Sequence, residues 1–143
     1  MTNNKHLFDN TPIPALGFGT WEIGGRKQKD ASHDKQAVCA ICNGIDVGMT
    51  HIDTAEKYGN GHTEKLTGEA IQNYDRKKLF ITSKVAEYHL KHDDLINAAE
   101  NSLRRLKTDY LDLYLIHAYN PKIPLRESVE AMNELARSGK VRY

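Results

Sequence analysis

Short apolar runs that stop on a polar residue alternate along this chain with longer segments whose apolar positions recur every three or four residues. The runs occupy residues 15–20, 49–53, 79–84 and 111–117, and their polar ends, Thr20, Asp53, Lys84 and His117, fall 31 to 33 residues apart. That interval is the length of one strand followed by a helix and its return. Between the runs, Leu95, Ile96, Ala99, Leu103 and Leu106 line one helical face, as do Val129, Met132, Leu135 and Ala136. Gly48 and Gly139 stand where helix C-terminal caps belong, and Pro124 opens the last helix where its missing N–H costs nothing. Residues 4–14, with Asp9 and Asn10 as a turn signal and two prolines, predict a small hairpin serving as a lid.

Strand and helix in strict alternation predict parallel strands with helices packed outside, in an open doubly wound sheet or in part of a barrel. Gly17, Phe18 and Gly19 lack the third glycine and the immediate helix of a dinucleotide-binding fingerprint. The polar residues fall instead at the C-terminal ends of successive strands, the catalytic face of a (β/α)8 barrel. The fold class expected is therefore α/β, a partial (β/α)8 TIM barrel of about four β/α units with an N-terminal hairpin. Residues 1–143 are expected to form one domain, the N-terminal half of such a barrel, with Gly139 to Tyr143 reading as a helix cap and the start of a fifth strand. Half a barrel would leave edge strands and an apolar inner face open, so a homodimer covering the open edges, or poor solubility, is expected.

Composition narrows the function. About two fifths of the residues are apolar and a quarter charged, with a net charge of +1 and the signs interspersed. No basic stripe suited to nucleic acid emerges, and no apolar stretch approaches a membrane span. The polar start carries no apolar leader region, and a cytoplasmic protein is expected. Cys39 and Cys42, three apart on a helix, lack the further ligands of a zinc set, and two buried thiols are expected in preference to a redox pair.

Taken singly, the polar strand ends have ordinary explanations: Asp53 can cap a turn, Lys84 can snorkel from a strand end, His117 can be a hydrogen-bonded core residue and Tyr58 can pack on the surface. Adjacent parallel strands, however, bring Asp53, Lys84 and His117 to one rim, and the loop after the second run can hang Tyr58 over it. The four suit carbonyl reduction. A tyrosine delivers a proton to the developing alkoxide, a lysine stabilises the phenolate, an aspartate holds the lysine, and a histidine donates to the carbonyl oxygen. Such a site needs no metal. A Schiff-base lysine at position 84 is the competing chemistry on the same scaffold.

Residues 48–61, GMTHIDTAEKYGNG, resemble the signature of the aldo-keto reductases around their catalytic Asp and Tyr. Residues 81–85, ITSKV, resemble the family's lysine strand, and 109–117, DYLDLYLIH, its histidine strand. The opening LGFGTW at 16–21 and the closing GKVRY at 139–143 match as well, so the likeness spans nearly the whole chain. It implies an NADPH-dependent oxidoreductase that reduces aldehydes or ketones, with Asp53, Tyr58, Lys84 and His117 as catalytic residues and Tyr58 as proton donor. It further implies Gly19, Thr20, Trp21 and Asp53 near the nicotinamide, Trp21, Tyr58 and His117 around a small-molecule carbonyl substrate, and no metal. Ala118 and Tyr119 depart from the Trp-Pro that relatives often carry after the histidine. The family's pyrophosphate, adenine and 2′-phosphate contacts belong mainly to the second half of the barrel, so an inactive half-barrel acting in binding or self-assembly is the alternative.

Overall fold

The structure is a computed structural model that describes residues 4–143. Its centre is a four-stranded, wholly parallel sheet of β3 (Gly17–Gly19), β4 (His51–Asp53), β5 (Phe80–Val85) and β6 (Leu113–Ile116), arranged in that order. The helices are α1 (Asp34–Asp46), α2 (His62–Ile71), α3 (His92–Leu106) and α4 (Leu125–Arg137), each packed on the next. Strands laid down in chain order through right-handed crossovers carry all their helices on one side; a doubly wound sheet would require the order to reverse. The topology is that of a barrel wall, a partial (β/α)8 barrel.

The helices form where their apolar faces meet the sheet. Val38, Ile41, Cys42 and Ile45 of α1 reach the core, and Leu95, Ala98, Ala99, Leu103 and Leu106 of α3 are buried, the spacing of a stripe along one face. They cover Ile52 and Ile81, which are register partners and fully buried. Strand alternation then turns His51, Asp53, Thr82 and Lys84 to the other, inner face. Gly48 and Gly139 follow α1 and α4 with positive φ, as expected for caps, and Pro124 occupies the cap before α4. The turn after α3 is made by Lys107 in a left-handed conformation, a position with no glycine to announce it.

Two expectations need correction. The inner face of β3 to β5 is small or polar, with Gly17, Gly19, His51, Asp53, Thr82 and Lys84 on it; apolar character is concentrated in Leu113 and Leu115 of β6, while Phe80 is covered. Polar groups gather there because that face leads to the strand ends that bear the site. The two thiols are not buried together: Cys39 is exposed and only Cys42 turns toward the core, since three residues round a helix spans about 300° and separates them at the margin of a narrow apolar stripe.

The N-terminal hairpin pairs β1 (Lys5–His6) with β2 (Pro12–Ile13) in antiparallel fashion. It lies at the end of the sheet away from the site, beside Thr50, Phe80 and Arg142, so the lid closes the N-terminal ends of the strands. Tyr143 bonds to Asp9 and Thr11 of this hairpin. The start of the fifth strand is also formed: Val141 bridges to Leu111 in parallel, and Arg142 N–H donates to the Leu111 carbonyl. Asp112, almost fully buried, ties these strands together by accepting from Arg76, Arg142 and the Ile81 N–H at 2.7 to 2.9 Å.

Candidate functional site

Strand register assembles the site. Asp53 closes β4 opposite Gly19 of β3 and Thr82 of β5, so Lys84, two residues beyond Thr82, shares its face one step nearer the C-terminal rim. The lysine reaches back: its Nζ lies 2.5 Å from Asp53 Oδ1, 2.9 Å from the Thr54 carbonyl and 3.4 Å from the Tyr58 hydroxyl. Its side chain is 14% exposed against 39% for Asp53, so the ammonium is largely withdrawn from water while the carboxylate keeps an open side.

Tyr58 is delivered by the loop after β4, which turns sharply through Gly59, Asn60 and Gly61, all at positive φ, before α2 begins. The Gly59 N–H donates to the Arg26 carbonyl, tying this turn to the loop after β3. Beneath it lies Arg105, against which a Cβ at Gly61 would press at 2.9 Å. Arg105 Nε donates to the fully buried carboxylate of Glu64 at 2.6 Å, and the Ser83 hydroxyl donates to the other carboxylate oxygen. A buried ion pair thus floors the turn that presents Tyr58.

The Tyr58 ring is itself buried between two edge-on aromatic neighbours, Trp21 at 4.8 Å and His117 at 5.5 Å between centroids. His117 follows β6 and is held by its N–H donating to the Val85 carbonyl. Its Nδ1 is buried and has no hydrogen-bond partner among the described residues. Burial, followed by the cations of Lys84 and Lys57, holds its pKa below the usual histidine value, against the opposing pull of Glu87 and Asp53. The neutral imidazole is favoured. One layer deeper, His51 shares a hydrogen bond of 2.9 Å with the Thr82 hydroxyl, and burial lowers its pKa too.

The structure thus brings Asp53, Tyr58, Lys84, His117 and Trp21 together at one rim. Trp21 is 47% exposed, and Gly19 has open space where a side chain would stand. Thr20 is fully buried, with its hydroxyl donating to the Asp53 carbonyl at 2.9 Å, so it acts on the rim by fixing Asp53. Sequence patterns did not disclose Lys57, Glu87 and Asn120, which link the three loops around the site, nor the Glu64–Arg105 pair under it. Their partners lie some 30 to 40 residues apart with no shared spacing. Among the described residues no cluster of three or more metal-ligating side chains occurs, and no helix is long and apolar enough to cross a membrane.

Residues 15–143 match the model of the aldo/keto reductase family. Methylglyoxal reductase YeaE of Escherichia coli is 47% identical over 130 residues, which take in 91% of this chain and 44% of that protein. Among solved structures, the thermostable aldo-keto reductase Tm1743, crystallised with the inhibitor epalrestat, superposes with a TM-score of 0.96 at 53% identity, over 98% of this chain and 52% of that one. An aldo-keto reductase of Klebsiella pneumoniae in complex with NADPH gives 0.88 at 42% identity, over 99% and 48%. The chain spans about half the length of these relatives. It belongs to the aldo/keto reductase family and carries four strand–helix units of that family's (β/α)8 barrel.

Proposed function

We propose that the chain, as the N-terminal half-barrel unit of an aldo-keto reductase, carries the acid–base machinery of an NADPH-dependent reductase of small aldehydes or ketones, with Tyr58 as proton donor. The observation that carries this reading is the chain of contacts from Asp53 through Lys84 to the Tyr58 hydroxyl, with the His117 ring against the tyrosine.

A phenol is a weak acid near neutrality, with an ordinary pKa of about 10. The Lys84 ammonium beside Tyr58 stabilises the phenolate left when the hydroxyl gives its proton to the alkoxide oxygen. Asp53 and the Thr54 carbonyl accept from that ammonium and hold it beside the tyrosine. His117, kept neutral by its surroundings, has a ring N–H to offer the substrate oxygen. Trp21 and His117 fix the tyrosine ring from both sides, so the proton leaves from a defined position.

The residues present suit the nicotinamide end of the cofactor: a half-exposed indole, an open space over Gly19, a carboxylate with a free side and an unpartnered imidazole nitrogen converge there. Asp53, Trp21 and Gly19 would hold it, with Thr20 fixing Asp53. When bound, NADPH supplies the hydride delivered to the carbonyl carbon. The test is an NADPH titration followed by the fluorescence of Trp21, the sole tryptophan, together with NADPH consumption in the presence of methylglyoxal or benzaldehyde. Saturable quenching with turnover supports the reading. Folded protein that neither quenches nor turns over rejects it for this chain.

A second reading, a non-catalytic half-barrel that assembles with itself, is favoured by the exposure of Leu115 on β6 and of Leu125 and Val129 on α4. A defined dimer in sedimentation, without NADPH quenching, would select it.

A further inference from the structure

The Lys57 side chain is directed onto Glu87, whose two carboxylate oxygens each accept from its Nζ at 2.9 Å. Lys57 immediately precedes Tyr58, Glu87 lies three residues after Lys84, and Asn120, three residues after His117, donates its amide to the Glu87 carbonyl at 2.8 Å. Three loops, which bear or closely follow Tyr58, Lys84 and His117, therefore meet at Glu87. The ion pair is about one-third exposed on both sides, and it begins at the residue before Tyr58, whose ring centroid lies 5.5 Å from that of His117. The hydrogen bonds from Lys57 also hold the Glu87 carboxyl below its usual pKa, which favours the carboxylate that accepts them.

We propose that Glu87 is a positioning residue that pins the Lys57 ammonium in an ion pair and balances its charge at His117, so that the imidazole meets a paired cation instead of a second free ammonium beside Lys84. The proposal rests on the reading of His117 as the group facing the carbonyl oxygen. The charged and titratable groups around His117 are Asp53 from β4, Lys57 and Tyr58 from the following loop, Lys84 from β5 and Glu87 from the loop after it. The first four surround any variant of Glu87 alike. Removing the carboxylate leaves Lys57 unopposed, and removing the ammonium leaves Glu87 unopposed, so the two changes act on the imidazole with opposite sign.

The experiment is a histidine side-chain NMR titration of the full chain, without NADPH or carbonyl compound, in wild type, Glu87→Gln, Lys57→Met and the double variant. The expected result is a His117 midpoint shifted down in Glu87→Gln, shifted up in Lys57→Met, and returned toward wild type in the double variant. Unshifted midpoints, or shifts of one sign in both single variants, would overturn the proposal. A structural role alone would not produce the opposed signs. Each single variant is informative by itself, so misfolding of one leaves the other sign to be read. Because the titration needs neither cofactor nor turnover, its failure is separate from failure of the reductase reading.

Discussion

Gly68 on α2 lies directly against Leu106 at the end of α3: a Cβ at position 68 would stand 2.8 Å from the Leu106 Cα and 2.4 Å from the Arg105 carbonyl oxygen. The two helices approach to backbone contact because Gly68 offers no side chain at the crossing. Gly68→Ala, harmless in an isolated helix, should destabilise this one by about 1–3 kcal/mol through overpacking. Urea unfolding of the variant checks this, and a midpoint at or above wild type would mean that the helices can separate freely.

Breaking the Glu64–Arg105 pair should cost more. Glu64→Gln keeps the shape but strands the Arg105 charge under the Tyr58 turn, and loss of one partner of a buried pair costs about 3–5 kcal/mol. With Arg105 somewhat accessible, the lower end is expected. Replacing both partners, Glu64→Leu with Arg105→Met, should recover much of the loss. A double variant no more stable than Glu64→Gln, measured by the same denaturation, would show that the pair is worth its desolvation.

Tyr58→Phe should preserve the fold, since the ring keeps its contacts with Trp21 and His117, while lowering any reductase rate by a factor of about 10² to 10⁴. Stopped-flow NADPH oxidation with wild type and variant at equal occupancy is the measurement. Equal rates would remove Tyr58 from the role of proton donor.

Stability should fall as the pH drops below the ordinary histidine value near 6.5. His51 and His117 both have lowered pKa values in the folded chain, so between the unfolded and folded values the unfolded state binds more protons, and stability rises with pH. Their contribution is intact above the unfolded value and declines through acid pH until the folded values are passed. His92 acts in the opposite sense: it is raised by Asp93 and favours the folded state at lower pH. The difference between wild type and His51→Gln isolates the buried residue: denaturation at about pH 7 and about pH 5 should show a smaller acid loss in the variant. An unchanged loss would assign the dependence elsewhere.

The strand–helix alternation and the rim of polar residues were legible because both follow short-range rules. A strand end at Asp53 or Lys84 announces itself by the break in an apolar run, and a residue at such an end has only one rim to occupy once the strands are parallel. Tyr58 was legible through its motif, although its buried position depends on three successive left-handed residues that a composition of Gly, Asn and Gly permits without requiring. The support beneath it was not legible. Glu64 reads as a solvent-facing helix residue until Arg105 and Ser83 arrive from other elements to satisfy it. The exposure of Cys39 was missed because a residue at the margin of a helical stripe is assigned by a few degrees of rotation. The inner face was expected to be more apolar than it is because alternation within three-residue strands such as β4 is too short to read.

The order β3, β4, β5, β6 has a consequence for how the chain reaches this structure. Each strand pairs with the one made just before it, so every loop that must close is about one module long, and the entropy of closure does not accumulate along the sequence. Such a sheet can be extended from its first strand while the chain is still emerging from the ribosome, each module finding a finished template to dock against. Val141, already bridged to Leu111, shows the next template in use.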